Sequence, residues 1–156
     1  TGTGTTTTIS GLSAGTYSYK VANVSGCIST LSANLVINAQ PTTPSIPTVG
    51  IITQPTCSVA TGSFVLGGLP SSGTWTLTRT PGGVTSTGSG TSATISGLTE
   101  GNYTYTVTNV TGCTSVPSPN VVISAKPLTP VAPTVGIITQ PTCTVATGGI
   151  VLIWQY

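Results

Sequence analysis

Charge is almost missing from this chain. Its 156 residues include three cations (Lys20, Arg79 and Lys126), one anion (Glu100) and no histidine. Aspartate and methionine are absent as well. Without His and Asp there is no Ser-His-Asp triad, and a single carboxylate cannot run paired-carboxylate glycoside hydrolysis. The chain is not expected to be an enzyme, and no cofactor is expected. A net charge of +2 offers no basic cluster, so nucleic-acid binding through counterion release is excluded. No run reaches the roughly 18 apolar residues of a membrane span, and the opening residues do not read as a signal peptide, which in a secreted protein is expected to have been removed or to lie outside this sequence.

What is present is β-forming. Hydrophobic residues make up 37%, with 20 Gly and 12 Pro. Threonine is abundant, and Thr, Val, Ile and Tyr suit strands while Gly and Pro mark turns. That composition predicts an all-β fold with a real core, not disorder. A surface of Thr, Ser and Asn keeps water without repelling a neighbouring copy, so close packing between chains is tolerated.

The chain repeats itself. TVGIITQPTC begins at 48 and again at 134, an offset of 86 residues. GTYSYKVANVSGC (15–27) returns as GNYTYTVTNVTGC (101–113), and ANLVINAQP (33–41) as PNVVISAKP (119–127), at the same offset. No charged residue repeats: Lys20 corresponds to Thr106, Lys126 to Gln40, and Glu100 to Ala14.

Within the complete repeat the alternation predicts six or seven short strands, among them VGIIT, SFVLGGL, TWTLTRT, SATISGL, NYTYTVTNV and NVVISA, with PGG (81–83) as a turn. This spacing predicts tandem immunoglobulin-like β-sandwich repeats. The expected layout is the C-terminal part of one repeat (1–39), a Pro-rich linker (40–47), a complete repeat (48–125), a second linker (126–133) and the N-terminal strands of a further repeat (134–156). Each linker contains P-x-x-P-x-x-P. In polyproline II all three prolines fall on one edge, and seven residues at ~3.1 Å each make a strut of roughly 20 Å.

The cysteines follow the period: Cys27 matches Cys113, and Cys57 matches Cys143. A Cys57–Cys113 disulfide within the complete repeat is expected, worth about 4 kcal/mol in the chain-entropy model, and it implies an oxidising compartment. Zinc is disfavoured by the lack of His and of any C-x-x-C. Cys27 and Cys143 are expected to pair between neighbouring repeats or subunits.

Residues 140–156 correspond to the head of a repeat, and residues 1–53 to the tail of one. Two arrangements follow. Ile150, Val151, Leu152, Ile153 and Trp154 are a candidate donor strand that completes the sandwich of the next copy, and such head-to-tail joining grows a filament. Alternatively the chain is a window on a longer array, and its neighbours are further repeats. A unit joined from the two ends lacks the counterpart of TWTLTRT. The closing IVLIWQY also departs from FVLGGLP of the complete repeat.

The segment GL-x-x-G-x-Y-x-h-x-V-x-x-x-x-G-C falls on Gly97, Leu98, Gly101, Tyr103, Tyr105, Val107, Gly112 and Cys113, and earlier on Gly11, Leu12, Gly15, Tyr17, Tyr19, Val21, Gly26 and Cys27. With the upstream QPTC…ATGS it resembles the repeats of giant SprB-type gliding adhesins, over nearly the whole chain. The resemblance implies an extracellular, cell-surface or filamentous role and export by the type IX secretion route. Family repeats carry Asp near the turn and this chain has none, so calcium binding is not carried over.

Three further candidates complete the reading. An isopeptide bond assisted by Glu100 would need that residue buried near Lys126. Trp75, Tyr17 and Tyr103 are candidates for stacking on sugars, although their alternation favours core positions, and Tyr103 suits a tyrosine corner. Asn23, Asn102 and Asn109 lie in N-glycosylation sequons. Two functions stand: a structural subunit of an extracellular fibre of disulfide-stapled beads, or a cell-surface adhesin repeat that grips a glycan or surface.

Overall fold

The structure, a computed structural model, describes Gly2 and residues 4–154. Its elements are all β, with antiparallel pairing throughout and no helix among the described residues. Residues separate into two compact units, Thr1–Thr43 and Pro44–Tyr156.

In the first unit, β1 (Gly15–Tyr17) pairs with β2 (Leu35–Ile37). Residues 6–11, whose counterparts form a strand in the complete repeat, have no strand structure here.

The second unit holds the complete repeat. Its strands are β3 (Thr48–Thr53), β4 (Gly62–Gly67), β5 (Thr74–Thr80), β6 (Val84–Ser89), β7 (Ser92–Leu98), β8 (Gly101–Thr108) and β9 (Val121–Ile123). They form two sheets, ordered β3-β4-β7 and β6-β5-β8-β9. Alternation places one face of each sheet inward. From the first sheet come Phe64, Leu66 and Leu98; from the second come Trp75, Leu77, Tyr103, Tyr105, Val107, Val121 and Ile123. Both sets belong to a single buried cluster, which makes this repeat a two-sheet sandwich. Phe64 and Tyr105 meet edge to face across it, ring centres 5.5 Å apart, a favoured aromatic geometry.

The sequence reading missed β6. VTSTGS is short, polar and contains Gly, so it carries no apolar alternation. It forms because the Pro81–Gly83 turn folds it back on β5, with Arg79 opposite Val84 and Thr74 opposite Ser89. Gly88 is required there: a Cβ at that position would strike the Trp75 ring, which fills the space.

The bead has two poles. Thr53, Gly62, Leu98, Gly101 and Ile123 mark one through their cross-strand partners, and a Cβ on Gly62 would meet Ile123 of the other sheet. Thr48, Gly67, Ser92 and Thr108 mark the opposite pole, where Gly73 lies against Val110. The chain comes in at the Thr48 pole and leaves at the Ile123 pole. The incoming segment is anchored: Pro47 is fully buried and Ser45 Oγ donates to Gly68 O at 3.1 Å. The last residues of the expected linker are therefore part of the bead, not free strut.

After the bead, β10 (Thr134–Thr139) pairs with β11 (Gly149–Ile153). Thr134 faces Ile153 as Thr48 faces Gly67, with the same register shift between Val135 and Ile138 as between Val49 and Ile52. The expected third unit extends to 156, and its last two residues lie outside the described residues.

Candidate functional site

The loops at the two poles carry the sequence-expected residues. At the corner between β7 and β8, Tyr103 Oη donates to Thr99 O at 3.0 Å. This is the back-bond of a tyrosine corner, and Tyr17 makes the same bond to Ser13 O at 2.9 Å. Past β8, Asn109 Oδ1 accepts from the amides of Thr111 (3.1 Å) and Cys113 (3.0 Å) and from Thr111 Oγ1 (2.8 Å). The earlier copy repeats the pattern, with Asn23 Oδ1 accepting from the amides of Ser25 and Cys27. Both asparagines organise a tight turn, in the manner of Asx turns. Asn102 lies on the outer face of β8 opposite Val122.

Two serines then pair with β8 through both backbone and side chain, their amides donating to Val107 O and Tyr105 O. Ser115 Oγ accepts from Val107 N and Ser118 Oγ from Tyr105 N, each at 3.0 Å and buried. Ser29 and Ser32 do the same for Val21 and Tyr19. Sequence reasoning missed these serines. The signal was there, since Ser29 and Ser115, like Ser32 and Ser118, are 86 apart.

The expected Cys57–Cys113 disulfide is not made. Cys57 lies in the β3–β4 connection at the Ile123 pole, and Cys113 in the turn beyond Thr108 at the opposite one. The eight residues of β8 separate those poles, about 23 Å at ~3.3 Å per residue. A disulfide holds its Cα atoms within roughly 7 Å. None of the four cysteines is in a disulfide. Cys143 corresponds to Cys57 and Cys27 to Cys113, so a unit assembled from the two chain ends would also set its cysteines at opposite poles. The expected Cys27–Cys143 pairing is one between neighbouring repeats or subunits, and both residues are exposed.

The sugar-stacking candidates fall inward. Trp75 is 5% exposed and its Nε1 donates to Gly90 O at 2.7 Å; Tyr103 is 7% exposed. Tyr103 also carries the Arg79 guanidinium over its ring, 5.3 Å from the centroid, a cation–π contact. Tyr17 is half-buried. Glu100 and Lys126 are both exposed, which removes the buried acid an isopeptide bond needs. Among the described residues no three His, Cys, Asp or Glu side chains converge. Burial holds the Tyr105 hydroxyl above the ordinary tyrosine pKa of 10.0, against the opposing pull of Arg79.

Two surfaces remain. On the outer face of the four-stranded sheet, Thr76 stands between Thr108 and Thr87, and Thr78 between Thr106 and Thr85. This uncharged hydroxyl array is not carried by the period, because the earlier copy has Ala22, Lys20 and Ser18 where the later one has Thr108, Thr106 and Thr104. The second surface is the hairpin β10–β11. Its candidate donor residues Ile150, Val151, Leu152, Ile153 and Trp154 are all exposed. Trp154 lines an open apolar cleft with Leu128, Pro130, Val131 and Pro133.

Comparison with known protein families and with curated proteins yields no match.

Proposed function

We propose that the chain is a segment of an extracellular fibre built from immunoglobulin-like β-sandwich beads joined by proline-rich linkers. The carrying observation is the path of the chain through the bead: it comes in at one pole and leaves at the other, so beads joined this way form a line. The strand orders β3-β4-β7 and β6-β5-β8-β9 and the tyrosine corner support an immunoglobulin-like sandwich. The near absence of charge suits permanent packing beside other copies. The likeness of the Gly97–Cys113 segment to SprB-type adhesin repeats supports surface display through the type IX route.

Stretching single molecules between the two chain ends tests this. A structural bead gives one cooperative rupture, releasing residues 48–125 at ~3.4 Å per residue, roughly 240 Å after subtracting the folded span. Gradual lengthening without a rupture would overturn the reading. The adhesin alternative has less support, since Trp75 and Tyr103 belong to the core. Saturable binding of the folded chain to a glycan array would restore it.

Beads join in one of two ways. They are neighbours in one longer polypeptide, or copies exchange strands. Exchange would use two features: the edge of β11, and residues 6–11, which lack the sheet that their counterparts in β7 use. In the β4–β7 register, Ile150 of one copy would face Ile9 of the next. Sedimentation decides between them. Concentration-dependent growth abolished by Val151→Pro supports exchange, and a single species at all concentrations leaves the continuous polypeptide.

A further inference from the structure

We infer that Gln54 is a mechanical clasp that joins the first and last strands of the bead and carries tension between them. The inference rests on the fibre reading above.

The strands β3 and β9 receive the force directly, because the incoming linker continues into β3 and β9 continues into the outgoing linker. Both run from the Thr48 pole to the Ile123 pole, so they are parallel. They lie side by side but belong to different sheets and share no ladder. Pulling the linkers apart draws the start of β3 one way and the end of β9 the other, which is shear along their common direction.

Gln54 follows β3 immediately, and its side-chain amide crosses to β9. Nε2 donates to Val122 O and Oε1 accepts from Ser124 N, each at 2.9 Å. Those two backbone groups flank Ile123 on the side that a neighbouring strand would use. The amide thus stands where a peptide group of an adjacent strand would stand, one donor and one acceptor in register. Pro55 behind it is buried. Pro47, at the start of β3, is buried too. Beyond the end of β9, Ala125 and Lys126 are exposed. The force path therefore runs from the buried Pro47 through β3 to Gln54, and from its amide into β9 at Val122 and Ser124. Both bonds lie across the shear direction and rupture together, not one after another as in peeling. The residue recurs with the period as Gln140, as a device needed in every bead would.

The test is single-molecule stretching of the whole chain with Gln54→Ala and Gln54→Glu. Losing two hydrogen bonds that break together should speed rupture at a given force roughly ten- to hundredfold. Gln54→Glu keeps the acceptor for Ser124 N but sets a carboxylate against Val122 O, and should fall between the two. A merely structural role is separated by the pulling axis. With handles attached at Gly83, in the β5–β6 turn, and at Ser71, in the β4–β5 connection, force bypasses β3 and β9. There Gln54→Ala should change the rate no more than it changes unfolding without load. An equal acceleration along both axes would overturn the clasp while leaving a single-rupture bead, and with it the fibre reading, intact. An unchanged rate along the chain axis would also overturn it. A wild-type chain without a cooperative rupture would instead refute the fibre reading.

Discussion

The hairpins β3–β4 and β10–β11 share the strand sequence TVGIIT, the pairing register and the register shift, yet they differ in burial. Phe64 and Leu66 are 3% and 0% exposed; their counterparts Ile150 and Leu152 are 57% and 42% exposed. Pairing within a hairpin is therefore a local property of this sequence, whereas burial is supplied by the opposite sheet. The N-terminal unit teaches the same from the other side. Its tyrosine-corner bond and the backbone bonds to its turn asparagine recur from the complete repeat, but Val21 and Leu35 are exposed where Val107 and Val121 have no exposure. Strands and turns form from local instructions, and stability is collective.

That comparison can be broken first at the core. Leu66→Ala should destabilise the bead by about 2–5 kcal/mol, the usual range for a buried leucine, while Leu152→Ala should stay within roughly 0.5 kcal/mol for bead unfolding. Urea denaturation of both variants measures this, and equal losses would refute the distinction. Next is the tight approach at β6. Gly88→Ala forces a methyl into the Trp75 ring and should cost about 1–3 kcal/mol. Gly2, its counterpart 86 residues earlier, has open space around it, and Gly2→Ala should be silent in the same assay.

The buried serines give a smaller contrast. Ser115→Ala strands the Val107 amide inside the bead and should cost about 1–3 kcal/mol. Ser29→Ala leaves the exposed Val21 amide to water and should leave bead stability unchanged. The smallest effect is on titration. Burial raises the Tyr105 pKa, so the folded bead disfavours the phenolate. Its contribution is complete below the ordinary tyrosine value of 10.0 and is lost as pH rises from there through the folded value. Ultraviolet titration of wild type against Tyr105→Phe should show one tyrosine ionising late, and only while the bead is folded.

Much of this was legible in the sequence. Strict alternation in TWTLTRT and NYTYTVT announced which side chains face inward. The tyrosine corner was legible because one Tyr sits at a recognisable point of a β-turn-β pattern. The cysteine pairing was misread for a physical reason: sequence spacing gives loop length but not the pole at which a loop lies, and topology puts Cys57 and Cys113 at opposite ends. β6 escaped because a polar edge strand has no hydrophobic signature and is created by its neighbour. Gln54 escaped because a polar residue before Pro reads as a turn, and its partners lie 68 and 70 residues away.

The claim beneath this account is that the seven strands between Thr48 and Ile123 make one self-sufficient body whose stability the flanking copies do not share. Amide hydrogen exchange on the dilute chain tests it most directly. The account predicts strong and nearly uniform protection for β4, β5 and β8, with β11 exchanging far faster despite pairing in the register of β4. Equal protection of β4 and β11 would contradict it.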